Sequence, residues 1–125
     1  MMHVDDSEWP LVVLTFVETF DLDTAEAYIE LTEELMNRGR FAELVFLERL
    51  GLPQVGAVKR VAQHTKAQRG RLSEQVVATA IVTHSAMLRG ALGFAQQLAE
   101  SSSPERVFNT EAEARAWLAE MLDSQ

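Results

Sequence analysis

The stretch Leu11-Val12-Val13-Leu14-Thr15-Phe16-Val17 is a continuous run of apolar and β-branched residues, about as long as one strand. Such a run is typical of a strand that is covered on both faces of a sheet. We place a turn at residues 8–10, because Pro10 has no amide hydrogen to donate to a central strand. Residues 3–5 are predicted to form a short strand before that turn.

Further apolar runs of strand length occur at residues 42–47, 76–83 and 106–108. Between them, apolar residues recur every three, four or seven positions, which indicates four amphipathic helices. The residues expected to begin these helices are Asp23, Pro53, Ser85 and Thr110, and Gly39 is expected to end the first. This alternation predicts an α/β fold, a four- to five-stranded mixed or parallel sheet with four helices.

The composition is that of an ordinary globular domain, with 47 % hydrophobic and 24 % charged residues in 125 positions. We therefore expect residues 1–125 to form a single domain. The chain has no cysteine, which excludes disulfides and thiolate zinc sites. No apolar stretch approaches the roughly 20 residues of a membrane span, and no signal peptide is recognisable, so a cytoplasmic location is expected. The net charge of −8 argues against nucleic acid as a partner.

Ordinary catalytic and cofactor motifs are missing from the sequence. His3, His64 and His84 do not have the close spacing of metal ligands, and no phosphate-binding glycine motif occurs. We therefore expect no cofactor and no metal. His84 and Ser85 are neighbours at a predicted strand-to-helix junction, where Ser85 is better explained as a helix cap. A small hydrolase-like enzyme that uses this pair is the least favoured hypothesis.

Charge is distributed unevenly along the chain. Five of the eleven basic residues fall within thirteen positions, and these are Lys59, Arg60, Lys66, Arg69 and Arg71. No acidic residue occurs between Arg49 and Glu74. The second predicted helix should turn its apolar stripe toward the sheet, and that stripe includes Val55, Val58, Val61 and Ala62. Its basic face is then either a solvated surface or a docking face for an acidic protein, an anionic lipid headgroup or a second copy of the chain.

Three stretches of the sequence resemble the SpoIIAA-like family of the STAS/SEC14-like superfamily. They are residues 10–16 (PLVVLTF), residues 89–92 (RGAL), and residues 106–110 (RVFNT) together with Glu113-Ala114 and Trp117-Leu118. The similarity extends over nearly the whole chain. It implies a STAS-like fold.

Classical members of that superfamily are anti-sigma-factor antagonists with a phosphorylatable serine in the loop after the second buried strand. No serine or threonine occurs here between Thr32 and Thr65, so the phospho-switch is not carried over. What the resemblance still implies is a partner-binding edge in that loop, made of Glu48, Arg49, Leu50, Gly51, Leu52 and Pro53.

Two functional hypotheses follow. The first is a non-enzymatic STAS-like regulatory or protein-binding module that presents loop 48–53 and the basic helix to a partner protein or to a second copy in a homodimer. The alternative is a small-ligand or lipid-headgroup carrier, since SEC14-like relatives bind lipids. A carrier would need an apolar cavity between the sheet and its helices.

Overall fold

The computed structural model describes residues 1–47, 51–99 and 103–125. These residues form one five-stranded sheet in the order β1-β2-β3-β4-β5. The strands are β1 (Met2–Glu8), β2 (Leu11–Phe16), β3 (Phe41–Phe46), β4 (Val76–Val82) and β5 (Glu105–Phe108). β1 is antiparallel to β2 and the other neighbours are parallel. The predicted mixed sheet is confirmed, with a first strand longer than the predicted residues 3–5.

The described parts of the chain contain five helices, one more than predicted. They are α1 (Leu22–Arg38), α2 (Val55–Ala67), α3 (Arg69–Gln75), α4 (Ala86–Ala99) and α5 (Glu111–Asp123). The stretch predicted as a single second helix divides at Gln68, whose φ of −108° and ψ of 20° depart from helical values. None of the described helices combines the length and the apolar character needed to cross a membrane.

The start of the second helix was predicted two residues too early. α2 begins at Val55, and Pro53 lies in the preceding loop. This loop runs beside the segment after β2, because the Gln54 amide donates to the Phe20 carbonyl at 3.1 Å. Val55 was expected to face the sheet, but it is 63 % exposed because it lies in the first turn, at the edge of the fold.

The two faces of the sheet carry separate apolar cores. On one face, Val12, Leu14 and Phe16 pack with α1, α3 and α4, and on the other Ala42 and Leu44 pack with α5. This two-sided covering explains why the central strands are mainly apolar, with Glu43 of β3 as the charged exception. The candidate site lies on the first face, between the sheet and its helices.

Local structure agrees with the sequence at three of the five predicted helix ends. Ser85 and Thr110 accept the amides of Leu88 and Glu113 at 3.2 Å, and Gly39 ends α1 with a φ of 143° that favours glycine. The prediction of Asp23 as the first cap is wrong. Asp21 caps α1 instead, because its carboxylate accepts the Thr24 amide at 2.9 Å, and Asp23 lies in the first helical turn.

This assignment distinguishes two neighbouring aspartates. Asp21→Ala removes the acceptor for an otherwise unpaired amide, and we expect it to lower the thermal midpoint of unfolding. Asp23→Ala removes only a favourable charge near the helix amino terminus, and it should lower the midpoint less. Thermal unfolding followed by circular dichroism checks the order; a larger effect of Asp23→Ala would contradict the assignment.

Candidate functional site

A glutamate lies in the middle of the central strand. Glu43 occupies the third position of β3, between buried apolar residues, and it is only 2 % exposed. Its strand neighbours Ala42 and Leu44 pack on the α5 side, so alternation along the strand directs Glu43 toward the α1 side. Glutamate is rarely buried without a specific partner, since loss of hydration costs a carboxylate several kcal/mol.

The partner of Glu43 is a tyrosine from α1. The Tyr28 hydroxyl donates a hydrogen bond to Glu43 Oε2 at 3.0 Å. Tyr28 also packs edge-on against the ring of Phe16, with 5.9 Å between ring centroids, which orients the phenol over the sheet. The pair thus connects the first helix to the sheet centre through a polar contact.

Burial changes the acidity of both groups. Loss of hydration raises the pKa of Glu43 to about 7, although the hydrogen bond from Tyr28 lowers it, and the negative charge of Glu105 adds to the increase. Burial likewise raises the pKa of Tyr28 well above its usual value, and the charge of Glu43 acts in the same direction. Tyr28 therefore remains a hydrogen-bond donor at neutral pH, where Glu43 changes its charge.

Sheet register places two more polar residues beside Glu43. Glu43 is the pairing partner of Thr79 on β4, and Thr79 is the partner of Glu105 on β5. Residues in register on neighbouring strands point to the same face of a sheet. Glu43, Thr79 and Glu105 thus form a polar row across three strands, which we call the acidic row.

The acidic row and Tyr28 border a partly enclosed cavity of about 230 Å³ between the sheet and the helices of the first face. The other described residues of its lining are mainly apolar. They include Phe16, Phe20, Val45, Leu47, Val58, Val61, Ala62, Leu72, Val76, Ile81, Leu88, Ala91 and Leu92. No lysine, arginine or histidine is among the described residues of this lining. The cavity is therefore apolar, with acidic groups on one side.

Ion pairs hold one wall of the cavity in place. Arg60 on α2 contacts Glu26 on α1 at 2.6 Å. Glu33 on α1 binds both His64 of α2, at 2.9 Å, and Arg71 of α3, at 2.7 Å. These hydrogen bonds lower the pKa of Glu33, so it remains an ionised partner at neutral pH.

The five residues of the predicted basic face differ in their contacts. Arg60 and Arg71 contact acidic residues of α1. Lys59 and Lys66 lie seven residues apart on α2, both exposed, and no hydrogen bond or ion pair joins them to the described residues. Arg69 is exposed and engaged in an interaction of its own.

Half of the predicted partner-binding loop can be located. Residues 48–50 (Glu48, Arg49 and Leu50) lie outside the described residues. The Gly51 amide donates to the Glu18 carbonyl at 3.1 Å, Leu52 is 57 % exposed, and Pro53 borders the cavity. Residues 51–53, the described half of the loop, therefore lie beside the cavity.

His84 and Ser85, the residues of the hydrolase-like hypothesis, do not join this site, and neither does the nearby Arg89. His84 is exposed, Ser85 caps α4, and Arg89 binds the Thr83 carbonyl at 3.2 Å and the side chain of Asn109. None of the three lies in the described lining of the cavity. Within the described residues, no group of three metal-ligating side chains is found.

Sequence reasoning missed the acidic row. Its clearest signal was available: Glu43 is the one charged residue in a six-residue run that was predicted to be a buried strand. Tyr28 falls within the first predicted helix, between Asp23 and Gly39, where a tyrosine is an ordinary core residue. Thr79 and Glu105 have ordinary sequence surroundings, and only the strand register brings them beside Glu43.

The SpoIIAA-like family model matches residues 11–119. The anti-sigma factor antagonist SpoIIAA, solved in its unphosphorylated form, is similar in structure with a TM-score of 0.65 and 16 % identity, over 95 % of this chain and 98 % of that one. An uncharacterised DUF3478 protein with a SpoIIAA-like fold from Shewanella loihica PV-4 is also similar in structure, with a TM-score of 0.65 and 14 % identity, over 94 % of this chain and 92 % of that one. No curated protein matches the sequence. At these identities the structural likeness concerns the fold.

The buried carboxyl predicts a pH-dependent stability. The pKa of Glu43 is about 7 in the folded chain against 4.5 ordinarily, so its proton stabilises the fold at low pH and this stabilisation is lost as the pH rises through 7. Glu43→Gln keeps an acceptor for Tyr28 without the charge. We expect the variant to be more stable than the wild type by about 3 kcal/mol near pH 8 and by much less near pH 4.

Urea unfolding at several pH values measures this difference. Glu34→Gln, on the exposed face of α1, is the matched control, and it should follow the wild type throughout. A Glu43→Gln stability difference that does not change with pH would contradict the assignment.

Proposed function

Because the chain belongs to the SpoIIAA-like family and has an apolar cavity bordered by a buried glutamate, we propose that it is a non-enzymatic module that binds a small, mainly apolar ligand. The observation that carries the proposal is the cavity between the sheet and its helices. Of the two hypotheses drawn from the sequence, this is the one that required such a cavity.

The size of the cavity limits the ligand. A cavity of about 150 Å³ in an engineered protein core holds benzene, and sites for drug-sized molecules begin at about 300 Å³. A volume of about 230 Å³ lies between these values. It suits a single ring with substituents or a short alkyl chain, and we propose a ligand of that size.

The proposal is one of binding rather than catalysis. Tyr28 donates to Glu43, and the Thr65 hydroxyl donates to the Val61 carbonyl at 2.9 Å, so these two cavity hydroxyls are engaged within the protein. The adjacent pair His84 and Ser85, which a hydrolase would use, does not belong to the described lining. We also propose that the module works in the cytoplasm. It works without a serine phospho-switch, because the sequence has no serine or threonine between Thr32 and Thr65.

Filling the cavity tests the proposal. Ala62 on α2 is buried and lines the cavity, so Ala62→Leu should occupy part of it and weaken binding of the neutral single-ring fluorescent probe 4-(dimethylamino)benzonitrile by about tenfold or more. Ala67→Leu introduces the same side chain at an exposed position of α2 and should bind as the wild type does. Probe fluorescence measures the affinity, and thermal melting verifies that both variants are folded.

A second filling variant, Ala91→Leu on α4, covers the case in which Ala62→Leu is too destabilised to measure. A wild type that fails to bind the probe would refute the proposal. So would folded filling variants that bind it unchanged.

A second function, protein docking, is favoured by Lys59 and Lys66. They are exposed and have no partner among the described residues, whereas Arg60 and Arg71 contact acidic side chains of α1. α5, on the opposite face of the sheet, carries four exposed carboxylates, which are Glu111, Glu113, Glu120 and Asp123. This complementarity favours a second copy of the chain in a head-to-tail contact, with loop 48–53 at its edge.

The docking proposal predicts a mass that depends on charge. Lys59→Glu with Lys66→Glu should convert a dimeric or larger assembly into monomers, because it opposes like charges across the contact. Lys59→Arg with Lys66→Arg keeps the charge and should preserve the assembly. Light scattering after size exclusion at low salt gives the masses; a monomeric wild type, or an unchanged mass of the reversed variant, would refute this function.

A further inference from the structure

The polar groups that line the cavity offer more hydrogen-bond acceptors than donors. Glu43 and Glu105 contribute carboxyl oxygens, which accept hydrogen bonds, and the described lining contains no lysine, arginine or histidine to donate one. Tyr28 is a donor, but its hydroxyl hydrogen is directed to Glu43. Above pH 7, where Glu43 is ionised, a ligand inside this cavity meets mainly hydrogen-bond acceptors and apolar carbon, and the hydroxyls of Thr79 and Ser103 can both donate and accept.

We propose that the cavity selects apolar molecules with a hydrogen-bond-donating head, a primary amine or a hydroxyl, and rejects carboxylates of the same shape. The inference rests on the proposed function, because it names the class of ligand that the same cavity takes. Glu43 is the residue that recognises the head, and the apolar wall receives the body of the ligand.

Glu43 carries an incompletely paired hydrogen-bond acceptor. Glu43 Oε2 accepts from Tyr28, and Oε1 accepts no hydrogen bond from the described residues. A carboxylate that is 2 % exposed has also lost most of its contact with bulk water. Glu43 Oε1 is not among the fully buried unpaired atoms of the described residues, so it keeps a small accessible area through which a ligand can donate a hydrogen bond to it.

The negative charges at the cavity also discriminate between ligands. Glu105 lies two strands from Glu43 on the same face, and both border the cavity. An ionised carboxylate on a ligand would add a like charge where solvent screening is weak, and no cation among the described lining residues would offset it. An ammonium head has the opposite sign, and a hydroxyl has no net charge.

The body of the ligand meets an apolar wall. Leu72, Ile81, Leu88 and Leu92 belong to the described lining, and none of them offers a polar group. Burial of alkyl carbon against such a wall is favourable in proportion to the area removed from water. The affinity then comes mainly from the body of the ligand, while the head determines which of several similar bodies is accepted.

Displacement of 4-(dimethylamino)benzonitrile at pH 8, where Glu43 is ionised, by octylamine, octanol and octanoate tests the inference, since the three share an eight-carbon skeleton. In the wild type, octylamine and octanol should displace the probe at concentrations about tenfold or more below that of octanoate. Glu43→Gln removes the charge and supplies a donor, so it should reduce this preference severalfold. Glu34→Gln, at an exposed position of α1, should leave it unchanged.

The outcomes separate this inference from the function on which it rests. If the probe binds but octanoate displaces it as well as octylamine and octanol do, the cavity binds ligands and the head-group selection is refuted. A preference that persists in Glu43→Gln refutes the role of Glu43. A wild type that binds neither the probe nor any of the three compounds refutes the proposed function together with the selection.

Discussion

The hydrogen bond between Tyr28 and Glu43 determines how α1 meets the sheet. A buried carboxylate weakens the fold at neutral pH, and an apolar residue of the same size would avoid that cost. The chain nevertheless has this polar contact at the centre of its sheet, where Phe16 orients the tyrosine and only 2 % of the glutamate is exposed. The polar contact leaves acceptor oxygens beside a space that side chains do not fill. A binding role would account for a buried charge that costs stability, so this contact supports the proposed function beside the cavity that carries it.

The ion pairs between the first two helices give the basic segment a structural role. Arg60 reaches Glu26, and Glu33 receives both His64 and Arg71, so α2 and α3 are held beside α1 on the outer side of the cavity. The two arginine pairs are partly exposed, and each contributes little alone. Together they join helices that also share the apolar wall below. A cluster that resembles a docking face in the sequence is therefore in part an internal contact, and only its outward lysines remain for a partner.

Much of the architecture could be predicted, because strand and helix periodicity are local properties of a sequence. The mixed sheet, the caps at Ser85 and Thr110, and the stop at Gly39 follow from such local patterns. The division of the second helix at Gln68 carries no comparable signal. The acidic row depends on register between strands that are distant in sequence, so no local pattern could reveal it. Glu43 alone was detectable, as a charge inside a run that otherwise predicts a buried strand.

Glu43 is both the group expected to titrate near neutral pH and the group proposed to contact the head of the ligand. Carbon-13 NMR of the glutamate carboxyl groups tests both at once, with Glu43→Gln used to assign the signal. The free protein should show Glu43 titrating with a pKa of about 7. Saturating octylamine should move that pKa downward, because an ammonium group stabilises the ionised form. A Glu43 signal that titrates in the usual range, or one that does not respond to octylamine, would contradict the account.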